Sequence, residues 1–104
     1  MTTELARSHN KSETIQAVAP GTTQTITTSG SSAATSTAFA TGTTVVRIVA
    51  TEDIHLKFAT SPTAATSDPF LPANQVEYFK VTAGEKVAAI QNSAAGTVYV
   101  TEME

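Results

Sequence analysis

Thr44-Val45-Val46-Arg47-Ile48-Val49-Ala50-Thr51-Glu52-Asp53-Ile54-His55-Leu56-Lys57-Phe58-Ala59 holds the two patterns that decide the fold. In its first half, Val45, Val46, Ile48 and Val49 form a nearly continuous apolar run around Arg47. Such a run belongs to a strand covered on both faces or lying at a subunit contact, and it predicts the central strand. Thr51-Glu52-Asp53 breaks the run. Ile54, Leu56 and Phe58 then alternate with His55, Lys57 and Ala59. A period of two marks a strand with one face in the core and the other in water.

Toward the C-terminus the strand signals continue. Residues 61–73 contain Pro62, Pro69 and Pro72 and read as a loop, with Phe70 and Leu71 tucked back as a plug. Residues 76–81 form a strand carrying Val76, Tyr78 and Lys80 on one face and Glu77, Phe79 and Val81 on the other, with Phe79 and Val81 expected inward. Thr82-Ala83-Gly84-Glu85 turns into a strand at 86–91, and Asn92-Ser93-Ala94-Ala95-Gly96 turns into one at 97–103.

Toward the N-terminus the signals thin out. Residues 14–18 and 23–28 are β-prone runs around Ala19-Pro20-Gly21-Thr22, whose proline and glycine suit a type II turn and predict a hairpin. Residues 29–42 are a low-complexity run of Ser, Thr, Ala and Gly, anchored only by Phe39, and read as a long loop or extended arm. The first dozen residues contain a few helix formers, too few to hold a helix alone, and read as a flexible arm. About seven short strands without crossover helices predict an all-β fold, a β-sandwich of jelly-roll or Greek-key type with an extended N-terminal arm. The expected organisation is an arm with a hairpin and loop over residues 1–42 and a sandwich body over 43–104.

Composition supports that division. Threonine makes up about a fifth of the chain and favours strands, because β-branched side chains are stiff and fit a pleated surface. At 104 residues the chain builds one core, and its large apolar side chains are concentrated after Val45. Ordering each backbone residue costs roughly 1–2 kcal/mol, whereas burying a Val, Leu, Ile or Phe returns about 1.5–3 kcal/mol. The first forty residues are therefore expected to need contacts from elsewhere. A net charge of −3 with six scattered Lys and Arg gives no footprint for a phosphate backbone, so direct nucleic-acid binding is not expected. There is no cysteine for a disulfide or thiolate site, and neither a signal-peptide run nor a membrane-length apolar stretch.

No constellation for catalysis or metal binding is read from the chain, and no cofactor is expected. His9 and His55 are the only histidines, and no Gly-x-Ser-x-Gly elbow accompanies them. Asp53 and His55 are two apart, so an extended segment would place them on one face as half of a metal site, with Glu52 or Asp68 as a further ligand. A solvated strand face beside an acidic turn explains the same residues. The pairs Glu52/Asp53 and Glu102/Glu104 sit at a turn and a terminus and read as solubilising charge. Phe70, Tyr78 and Tyr99 are the rings available for stacking on a sugar or for sheet packing and subunit contact.

Residues 44–53, Leu71-Pro72-Ala73, Val76-Glu77-Tyr78-Phe79, Gly84-Glu85-Lys86-Val87-Ala88 and the closing Gly96-Thr97-Val98-Tyr99-Val100-Thr101-Glu102 resemble small virion proteins of tailed bacteriophages, over roughly the last sixty residues. The resemblance implies a capsid decoration or cement protein, or another head or tail accessory protein, without catalytic residues. It would be made in the host cytoplasm and carried on the capsid surface, binding the major capsid protein or another virion protein as a homo-oligomer, a trimer being one suitable form. The expected partner or subunit contacts are Leu5, Ile15, Val18, Ile26, Phe39, Phe70, Tyr78 and Tyr99. The alternative is a carbohydrate- or receptor-binding β-sandwich module of a tail fibre or head surface.

Overall fold

The computed structural model describes residues 19–103 together with the backbone of two short strands, β1 (Ala6–Arg7) and β2 (Thr14–Ile15), which pair antiparallel with each other. Eight further strands follow among the described residues: β3 (Pro20–Thr27), β4 (Ala33–Ala34), β5 (Val45–Ala50), β6 (Ile54–Ala59), β7 (Phe70–Leu71), β8 (Glu77–Lys80), β9 (Lys86–Gln91) and β10 (Thr97–Met103). They form two four-stranded sheets, ordered β3-β10-β5-β8 and β4-β9-β6-β7.

The pairing is nested. β6 pairs with β7, β5 with β8, β4 with β9 and β3 with β10, all antiparallel, as in one long ribbon folded at its middle. Winding the ribbon adds the lateral pairs β10·β5 and β9·β6, which close each sheet. This strand order is that of a jelly roll, and the all-β sandwich expected from the sequence is what the chain forms.

The core lies between the sheets. Val46, Ile48 and Ala50 of β5 and Val98 and Val100 of β10 face Leu56 of β6, Leu71 of β7 and Val87 and Ala89 of β9. β5 is interior, as its apolar run predicted. Phe79 and Val81 point inward, and the Phe58 and Phe79 rings meet at 5.3 Å between the sheets.

Two expectations fail in the N-terminal half. Pro20 and Gly21 do not make a turn: both lie in β3, and β2 pairs with β1 instead of forming a hairpin with the next strand. β3 is an edge strand, where proline's missing N–H breaks no ladder bond, and Gly21 does not adopt a positive φ. Residues 20–42 are likewise no separate arm. Ile26 and Phe39 are buried in the chain's own core, and β4 pairs with β9. Phe39 N donates to Glu85 O at 2.8 Å and Gly84 N to Phe39 O at 3.0 Å, so the low-complexity stretch is laced to the β8–β9 turn through its backbone. The missing apolar bulk is supplied by ladder bonds and by two well-placed anchors. The arm expectation for the remaining N-terminal residues, Leu5 and Val18 among them, falls outside the described residues.

Candidate functional site: the two outer sheet faces

Alternation along each strand sends a second set of side chains outward, and the two outer faces differ. On the β4-β9-β6-β7 sheet, register places Phe70, His55 and Ile90 in one row, with Lys57 beside Ala88 in the next. His55 and Ala88 are buried although they face away from the core, His55 with 7% of its surface exposed. The cause is the proline-rich loop at residues 60–69. Ala64 N donates to Ser32 Oγ at 2.8 Å beside β4, while the Asp68 carbonyl meets His55 Nδ1 at 2.8 Å in β6. The loop thus crosses the outer side of the sheet. Its own turn is held by Ala65 N donating to Asp68 Oδ2 at 2.8 Å and Asp68 N to Ala65 O at 3.0 Å.

His55 is the clamp of that arrangement. A carbonyl only accepts, so Nδ1 carries a proton. Nε2 meets the side-chain amide of Asn92 at 2.9 Å, which offers an oxygen to a protonated nitrogen and, once rotated, an amino group to a bare one. Phe70 lies against the ring at 5.4 Å. The sequence reading of His55 as a wet-face residue is corrected here: the loop, which periodicity does not report, encloses it.

The acidic residues near His55 are also committed. Asp53 accepts from Ala73 N at 2.7 Å, and its backbone carbonyl accepts from Asn92 N at 3.0 Å. With Asp68 bonded to Ala65, no group of three or more His, Asp or Glu among the described residues is arranged to hold a metal ion. Glu102 corrects the solubilising reading more sharply. It faces inward opposite Val46, is buried, and accepts from Thr43 Oγ1 at 2.6 Å and from Ala40 N at 3.1 Å, so it fastens the turn that delivers Phe39 to the core. The signal was its parity with Val98 and Val100 in β10. Glu104 lies outside the described residues.

On the outer face of the β3-β10-β5-β8 sheet Thr101 is buried and Arg47 and Val49 are half-buried, while the rings that flank them stand exposed. Register places Thr23, Thr101, Arg47 and Tyr78 in one row and Thr25, Tyr99 and Val49 in the next. Tyr78 is 57% and Tyr99 41% exposed, and Val76, just before β8, is exposed as well. Thr23 and Thr101 share a hydroxyl bond of 2.9 Å that stiffens the β3 side of the face.

Of the expected contact residues, Tyr78 and Tyr99 share this face. Phe70, 49% exposed, stands on the opposite sheet. Ile26 and Phe39 are core and unavailable to a partner, and Ile15 is placed only as a backbone position in β2. The three rings therefore line no common groove. A cleft of about 280 Å³ at the β6/β8 side is lined by Leu56, Lys57, Phe58, Asp68, Pro69 and Phe79. Its one carboxylate is the Asp68 group already bonded to Ala65. Among the described residues no helix is long and apolar enough to cross a membrane.

The class defined by this geometry is a jelly-roll β-sandwich with one roofed and one open sheet face. Comparison of the chain with protein-family models, curated proteins and solved structures finds no match.

Proposed function

We propose that the chain is a non-enzymatic structural protein of a tailed-phage virion, a decoration or cement protein that binds and stabilises the shell formed by the major capsid protein. The observation that carries this reading is the outer face bearing the exposed Tyr78, Tyr99 and Val76 around the half-buried Val45, Arg47 and Val49. Tyrosine and arginine are the residues at which protein interfaces concentrate their affinity, and a sheet face that carries them offers many modest contacts. Jelly rolls serve both in viral shells and in lectins, so the fold supports this role without selecting it. What favours the shell is the separation of Phe70 from the two tyrosines, which keeps the three exposed rings from lining one groove for a sugar.

The test is co-sedimentation of the purified chain with capsids that lack it. Saturable binding at a fixed ratio to the shell protein is expected. Failure to bind any virion component would overturn the proposal.

A further inference from the structure

The charges of the described region are sorted by position. Its four cations all lie in strands and point outward: Arg47 and Lys80 on the open face, Lys57 and Lys86 on the roofed one. None makes an ion pair among the described residues. Four of the six carboxylates of the described region are instead spent within the fold, while Glu52 in the turn after β5 and Glu77 in β8 stay exposed. Asp53, Asp68, Glu85 and Glu102 accept from the backbone N–H groups of Ala73, Ala65, Thr82 and Ala40. A chain with a net charge of −3 thus presents an open face whose outward-pointing charged residues, Arg47 and Lys80, are cationic, the exposed Glu77 of the edge strand β8 lying opposite the inward Ile48.

Arg47 sits at the middle of that face. It lies directly opposite Tyr78 on β8 and Thr101 on β10, and Tyr99 is two residues from Thr101 along the same strand, a diagonal neighbour. Its guanidinium is a rigid fork matched to a carboxylate. Resting on the structural role proposed for the chain, we propose that this face docks a different protein that presents carboxylates, with Arg47 as the central contact between the Tyr78 and Tyr99 anchors. A second copy is a poor occupant, because it would set Arg47 and Lys80 against the same two cations. A phosphate polymer is equally poor, since two cations give too small a footprint.

The experiment measures binding of the full chain to capsids lacking it, at low and high salt, for the native chain and for Arg47→Glu, Tyr78→Thr, Tyr99→Thr and Lys57→Glu, each checked for folding by circular dichroism. Arg47→Glu is expected to weaken binding by about a hundredfold and each tyrosine change by about tenfold or more. Lys57→Glu, on the roofed face, should leave it unchanged. Raising the salt should weaken the native chain's binding and have less effect on Arg47→Glu. If the native chain binds no capsid, the structural role and the docking face both fall. If it binds and Arg47→Glu binds equally well, or binding ignores salt, the docking face alone falls. A concentration-dependent dimer of the isolated chain that Tyr99→Thr dissociates would also overturn it, in favour of self-association.

Discussion

The outer face at His55 and the outer face at Tyr99 start from similar strand patterns and end in different states. Both alternate inward apolar residues with outward mixed ones, and both present two cations. The first is roofed by residues 60–69, and His55 is held between the Asp68 carbonyl of that loop and the Asn92 amide just after β9. The second keeps Tyr78, Tyr99 and Val76 exposed. Closing a sheet face from within takes a loop long enough to cross it and polar groups to receive the loop's backbone. The β6–β7 connection has that length, and Ser32 and His55 receive its backbone, with Asn92 bonded in turn to the His55 ring. The turn from β8 to β9 is too short to do the same for the other face. The difference teaches that outward residues divide into those that hold the chain to itself and those left for another molecule.

The sharpest way to break the comparison is His55→Ala. It leaves the Asp68 carbonyl and the Asn92 amide without the ring between them and opens space beside Phe70, so unfolding by denaturant should show a loss of about 2–3 kcal/mol. A loss no larger than that of a tyrosine variant on the open face would mean that the roof contributes nothing to stability. Next comes Gly96→Ala, in the turn that links β9 of the roofed sheet to β10 of the open one. A Cβ there would lie 2.8 Å from Glu52 Cγ and 2.8 Å from Thr51 Oγ1. The corner must move, at a cost of about 1–2 kcal/mol in the same measurement. Glu52→Ala combined with it should recover only part of the loss, because Thr51 Oγ1 and the Cβ that alanine keeps at position 52, 2.9 Å from the added methyl, still block the position.

A smaller effect is expected from Ser32→Ala, which removes the acceptor for Ala64 N at the far end of the roof. Stability should fall by about 1 kcal/mol. Hydrogen exchange should quicken at the Ala64 amide while amides of β5 and β10 keep their rates, which would localise the change to the loop.

How far the sequence made these faces legible depends on the reach of periodicity. The strands at 86–91 and 97–103 and the interior position of β5 were readable, because parity and apolar runs are local. Glu102 was legible in principle, sharing parity with Val98 and Val100, but its charge and its place near the end of the chain argued for solvent. The burial of His55 was not legible, since it depends on residues 60–69 returning over a sheet whose strand order no local pattern states. β4 was missed for the same kind of reason: Ala33–Ala34 has no strand propensity of note and exists because β9 offers a partner. Pro20-Gly21 misled because a turn signature holds only where no longer-range partner competes for the backbone, and here β10 pairs with Thr23 and, across a register shift, with Pro20.

The smallest effect on stability, and the one that completes the comparison, is expected on the open face. Tyr99→Thr places a threonine opposite Thr25 and beside Thr97 and Thr101, keeping a β-branched side chain on a strand that already alternates them. Tyr78→Thr does the same in β8 opposite Arg47. Neither ring belongs to the buried core, and the strand propensity of the position is preserved, so each variant should stay within about 0.5 kcal/mol of the native chain in denaturant unfolding. A loss of about 2 kcal/mol from either would show that the ring is already packed in the isolated chain. The two faces would then differ only in which segment covers them, and the tyrosines would have to be counted with His55 among the side chains that hold the sandwich together.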